Sequence, residues 1–137
     1  MPSTKIEFNA AKIARIQGLD ELAGLLFPGN KENQKVFLAI IIELKYSQDQ
    51  FLLSFNPLCH KYGLSPRMLE TVRSKMRRMG LIDHISRFNR SHGCKEGWVF
   101  SSRFSNSAGR LAELVGSSRE RRNPMQEQKD RDLFRYI

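Results

Sequence analysis

Apolar positions recur at helical spacing over most of this chain and at strand spacing in only a few short stretches. Phe8, Ala11 and Ile16 precede Gly18, and Leu19, Leu22, Leu25 and Leu26 follow it, which predicts two short helices. Phe27-Pro28-Gly29 is a stop, and Asn30 offers a capping oxygen to a helix that runs to Lys45 or Tyr46. Val36 to Ile42 are apolar without a break, so this helix must be buried on several sides, as a central core helix or partly as a dimer interface. Ser47–Phe55 reads as a turn and a short strand. Asn56 and Pro57 then open a two-turn helix as cap and first residue, with Leu58 and Tyr62 on its inner face and Gly63 closing it.

The best-marked element follows. Ser65 caps, Pro66 takes the first helical position, and Leu69, Val72, Met76 and Met79 recur on one face. Gly80 ends the helix, which therefore spans 66–79. Residues 81–87 and 98–104 are rich in β-branched and aromatic types, and the basic stretch 88–97 between them reads as a long hairpin tip. Residues 105–116 predict a short helix capped by Ser107, with Leu111, Leu114 and Val115 facing inward. The rest is charged until Leu133, Phe134, Tyr136 and Ile137 and is expected to be largely solvated or disordered. The organisation is thus a helical extension over 1–29, a domain over 30–116 and a tail over 117–137. The fold class is mainly α with a small β-hairpin, α+β.

Charge changes the picture more than composition does. The chain of 137 residues carries a net +9, and residues 60–103 hold ten Lys/Arg against three Asp/Glu. Residues 1–59 are balanced. A partner rich in phosphate should meet the central segment. No apolar run reaches the roughly 18 residues that span a bilayer, and the N-terminus has no apolar signal core, so a cytoplasmic protein with no membrane association is expected. Cys59 and Cys94 are too few for a disulfide framework, and thiols are expected, with Cys59 buried and Cys94 exposed. Cys59-His60 and His92-x-Cys94 together supply a zinc ligand set, but neither pair has the usual structural spacing. There is no Gly-rich phosphate loop, no nucleophile motif and no acidic cluster in the basic region, so neither an enzyme nor a cofactor is expected.

The order of elements resembles the winged helix-turn-helix superfamily of prokaryotic DNA-binding proteins. The resemblance covers roughly residues 30–115. It is carried by Leu58, Tyr62, Gly63, Leu64, Ser65, Leu69, Val72, Met76, Met79, Gly80, Leu81 and Ile82. It implies that Gly63 sits in the tight turn, that Leu64 fills the gap between the two helices, and that helix 66–79 is the recognition helix, with the hairpin as wing.

Placing successive residues of that helix about 100° apart puts Arg67, Glu70, Thr71, Ser74 and Arg78 opposite the apolar face. Lys75 and Arg77 fall on the flanks, and Arg73 lies nearer the core edge. A solvated helix face usually balances its cations with acids one turn away, whereas here five cations meet only Glu70. The candidate DNA contacts are Ser65, Arg67, Glu70, Thr71, Ser74, Lys75, Arg77 and Arg78, with Arg90 and Lys95 from the wing. Arg67, in the first turn, is the best placed to meet a base edge. The expected function is double-stranded DNA binding as a homodimer, by a transcription regulator or by an origin-binding replication factor of a mobile element. The alternatives are a winged-helix protein-interaction module, with the tail holding a protein partner, and RNA binding.

Overall fold

The computed structural model describes residues 4–89 and 93–136. Among these, α1 (Ala10–Arg15) and α2 (Leu19–Leu26) lead into α3 (Lys31–Lys45), a short strand β1 (Phe51–Leu52), α4 (Pro57–Tyr62) and α5 (Pro66–Met79). The hairpin β2 (Ile82–Asn89) and β3 (Gly93–Phe100) follows, then α6 (Arg103–Ser117) and α7 (Pro124–Tyr136). The chain divides into two compact units, residues 1–104 and 105–137. The first is a helical layer on a three-stranded antiparallel sheet of order β1-β3-β2, a winged-helix-like arrangement of the α+β class.

The caps expected from sequence form at the two long helices of the first unit. The Asn30 side chain accepts from the Asn33 amide at the start of α3, and the Ser65 hydroxyl accepts from the Met68 amide at the start of α5. At Asn56 the expectation is only half met. The residue precedes Pro57, but its side chain caps nothing, and its own amide donates to the Ser54 hydroxyl. Gly63 and Gly80 end α4 and α5 in left-handed conformations, and Leu64 and Leu81 return their amides to Cys59 and Met76 five residues back. These two Gly-Leu dipeptides satisfy carbonyls that the helix ends would otherwise orphan, and they fix the turn between α4 and α5. At Gly80 a Cβ would also lie 2.7 Å from that of Arg103, so the start of α6 leaves room for nothing larger.

α3 is the central core helix. Val36, Phe37, Ala39, Ile40 and Leu44 are buried, and α3 packs against α2, α4, α5 and β3. Phe37 meets Phe27 with ring centroids 5.5 Å apart. Phe55, Leu58, Leu69, Val72, Met76, Ile82 and Trp98 complete the cluster. Burying each Phe, Leu or Ile side chain contributes about 1.5–3 kcal/mol. Tyr62, expected on the inner face of α4, lies instead at the α3–α4 rim. Its hydroxyl donates to Glu43 Oε1 at 2.6 Å beside the ammonium of Lys61. These two hydrogen bonds hold the Glu43 carboxyl below its ordinary range.

Three further expectations need correction. The wing strands are longer and the tip shorter than the residue pattern predicts, because backbone pairing extends to Asn89 opposite Gly93, while β3 ends at Phe100. α6 begins at Arg103, at the end of the first unit and ahead of Ser107, and in the second unit Leu111, Leu114 and Val115 are exposed. Their spacing makes the face apolar without supplying anything to cover it. The tail is largely solvated, as expected, but it is helical from Pro124, where the Asn123 side chain accepts from the Gln126 amide and Arg131 pairs with Glu127 one turn away. Both cysteines are thiols, Cys59 half-buried and Cys94 exposed. Among the described residues, no helix is long and apolar enough to cross a membrane.

Candidate nucleic-acid interface

The apolar face of α5 is pinned by Leu69, Val72 and Met76, which leaves the opposite face outward. Arg67, Glu70, Thr71, Arg77 and Arg78 are exposed on it, and Ser74 is half-buried. The Thr71 hydroxyl donates to the Arg67 carbonyl at 3.0 Å, and the Ser74 hydroxyl donates to Glu70 Oε1 at 3.3 Å. Ser65 sits exposed at the N-terminus of α5 with its oxygen committed to the cap. Arg67, Arg77 and Arg78 have no ion-pair partner among the described residues.

Lys75 leaves this set. Its place on the wheel puts it at the flank of the outward face, but it is buried, and its ammonium donates to the carbonyls of Lys5 and Leu26. Burial holds its pKa below the ordinary lysine value. The flank it occupies is covered by the N-terminal segment and the end of α2, so Lys75 cannot reach a phosphate.

Arg73 turns the other way, toward the sheet. Its guanidinium pairs with Glu70 and lies 5.3 Å from the centroid of Trp98, and that of Arg77 lies 5.9 Å from the same ring. Trp98 is backed by Phe55 at 5.3 Å and met edge-on by His84 at 4.9 Å. Glu70, Arg73, Arg77, His84 and Trp98, with Leu53, Ser54 and Ser74, line an open recess of about 400 Å3 between α5 and the root of the wing. Trp98 and His84 do not stand out as interface residues in the sequence. They face each other only because the register pairs them across β2 and β3.

On the other face of the wing, Arg87 is directly opposite Lys95, and the Arg87 guanidinium lies 5.3 Å from the Phe51 ring centroid. Like charges opposite each other destabilise a strand pair. Arg90, the other wing candidate, lies outside the described residues, as does His92 of the zinc set. Asp83, at the root of this face, is neutralised by Arg103, which also donates to the carbonyls of Arg77 and Ile82. Hydrogen bonding from Arg103 is the main cause that holds the Asp83 carboxyl below its ordinary range. Among the described residues no three His, Cys, Asp or Glu side chains are grouped to hold a metal ion. The arrangement can therefore offer three exposed guanidiniums, hydroxyls and one open carboxylate from a single helix, flanked by a hairpin that carries Arg87 and Lys95. No protein-family model, curated protein or solved structure matches the chain.

Proposed function

We propose that this chain is a double-stranded-DNA-binding protein of the winged helix-turn-helix type, laying the outer face of α5 in the major groove. The β2–β3 wing then follows the backbone or enters the minor groove. The observation that carries this proposal is the set of exposed arginines on α5 with no carboxylate in ion-pair contact among the described residues, Arg67, Arg77 and Arg78. An ordinary solvated helix pairs such cations locally, whereas a groove helix keeps them for phosphates and guanine edges. The opposed Arg87 and Lys95 support the same proposal, because a neighbouring polyanion offsets their repulsion. In the cell the protein acts as a transcription regulator or as an origin-binding replication factor of a mobile element.

Homodimerisation belongs to this proposal, since one small module reads few base pairs. The exposed Leu111, Leu114 and Val115 of α6 and Leu133 and Phe134 of α7 support either self-association or docking of a protein partner on the 105–137 unit. Titration of labelled mixed-sequence duplex by fluorescence anisotropy tests the DNA proposal. Binding at micromolar protein that weakens steeply with added salt is expected. Absence of any salt-dependent duplex binding by the intact chain removes it.

A further inference from the structure

Glu70 is the only acid on α5, and it stands on the face that otherwise carries Arg67, Arg77 and Arg78. An acid there works against attraction to any polyanion, yet this one is held with care. Ser74 donates to Oε1, Arg73 pairs with Oε2, and Arg73 is seated against Trp98. Trp98 is buried to 8 % exposure and packed on Phe55, so a chain of contacts runs from the core to the carboxylate. The carboxylate itself is open, with the Glu70 side chain 59 % exposed. A carboxylate has about four lone-pair sites, and these contacts occupy two. Acceptor capacity is left facing outward on a side chain that is already oriented.

We infer that Glu70 is a specificity-determining residue that accepts a hydrogen bond from the N4 amino group of a cytosine in the major groove, which rests on α5 being the groove helix. The major-groove edges of guanine and thymine present acceptors at that depth and repel a carboxylate. Adenine offers an amino group beside the N7 acceptor, and cytosine alone offers its amino group with no acceptor on the same base. Arg73 and Ser74 act as positioning residues that fix the carboxylate before DNA arrives, so little side-chain freedom is lost on binding.

The test is selection of bound duplexes from a random pool, run in parallel with the intact wild-type chain, Glu70→Ala and Glu70→Gln, together with anisotropy on mixed-sequence duplex. The wild type should recover a cytosine at one position of each site. Glu70→Ala should lose about tenfold of discrimination at that position alone, while its affinity for mixed-sequence duplex rises severalfold because an acid is gone. Glu70→Gln should turn the preference at that position from cytosine to adenine, which an amide contacts through N6 and N7. The rise in mixed-sequence affinity follows from the lost charge alone, whereas a change of preference confined to one position, and its turn to adenine in Glu70→Gln, is not produced by a merely structural role. If Glu70→Ala selects the wild-type sequence, or loses preference at every position together, the assignment of Glu70 is overturned while DNA binding stands. If the wild type binds no duplex, both proposals fall.

Discussion

The ammonium of Lys75 lies 4.4 Å from the centroid of the Phe27 ring and donates to the carbonyls of Lys5 and Leu26. Leu26 is the last residue of α2, and its carbonyl has no partner within that helix. One cation of α5 thus caps α2 and holds the N-terminal segment, so its contribution is to folding. Lys75→Ala should lower stability by about 1–3 kcal/mol, because the ammonium's two hydrogen bonds are lost and a packed stem is removed. Denaturant melts measure this. The slope of log affinity against log salt for duplex, measured where the variant is fully folded, should stay at the wild-type value.

Arg77 and Arg78 should behave in the opposite way. Both are exposed in the last turn of α5, where a backbone phosphate at the groove edge is the natural partner. Replacing either by Ala should weaken binding about equally on all sequences and reduce the salt slope by about 0.9 for each phosphate that the variant no longer neutralises. Arg67→Ala should instead relax preference at one base position, since the first turn of the helix meets base edges. A common slope for wild type and both C-terminal variants rules out phosphate binding by this end of α5.

The contrast between Lys75 and its neighbours shows what a helical wheel can and cannot tell. The wheel places Arg67, Glu70, Thr71, Ser74 and Arg78 outward, and the structure leaves all of them at or near the surface, because opposition to Leu69, Val72 and Met76 decides it. On the flanks the outcome depends on which distant segment packs there. Lys75 meets carbonyls 49 and 70 residues away, and no local pattern encodes that meeting. Arg73 and His84 meet at Trp98 for a similar reason, since strand register brings His84 there and the packing of α5 brings Arg73. Helix boundaries at Asn30, Ser65 and Gly80 are legible because caps are local chemistry. The surroundings of Leu111, Leu114 and Val115 are not, because amphipathicity states that a face is apolar and leaves its cover unspecified.

The wing offers a test in which stability and binding move apart. Arg87 and Lys95 are cross-strand partners, so Lys95→Glu replaces a repulsive pair by an attractive one. The hairpin should gain about 0.2–1 kcal/mol, seen as a small rise in Tm. If the proposed interface includes the wing, duplex affinity should fall, and more at low salt than at high, because the substitution removes two units of positive charge from the hairpin. A rise in Tm with unchanged duplex affinity removes the wing from the interface.

Asp83 and Arg103 give the prediction that depends on pH. The guanidinium depresses the Asp83 carboxyl in the folded state, so the folded chain holds fewer protons than the unfolded chain in the window just below the ordinary carboxylate pKa of about 3.9. The stability contributed by the pair is therefore fully present above that pH and is lost as pH falls through the lowered folded value. Asp83 is about one-third exposed and Arg103 about half, so solvent screening keeps the effect to about 1 kcal/mol or less. Asp83→Asn should lower stability at neutral pH by that amount and flatten the acid limb of the stability curve. Arg103→Ala should cost more than Asp83→Asn, because the same guanidinium serves the carbonyls of Arg77 and Ile82 and so joins the end of α5 to the root of the wing. Urea melts of the wild type, both single variants and the double variant at pH 7 and near pH 3.5 separate the two contributions. The ion-pair coupling energy should shrink between those pH values, while the excess cost of Arg103→Ala persists at both.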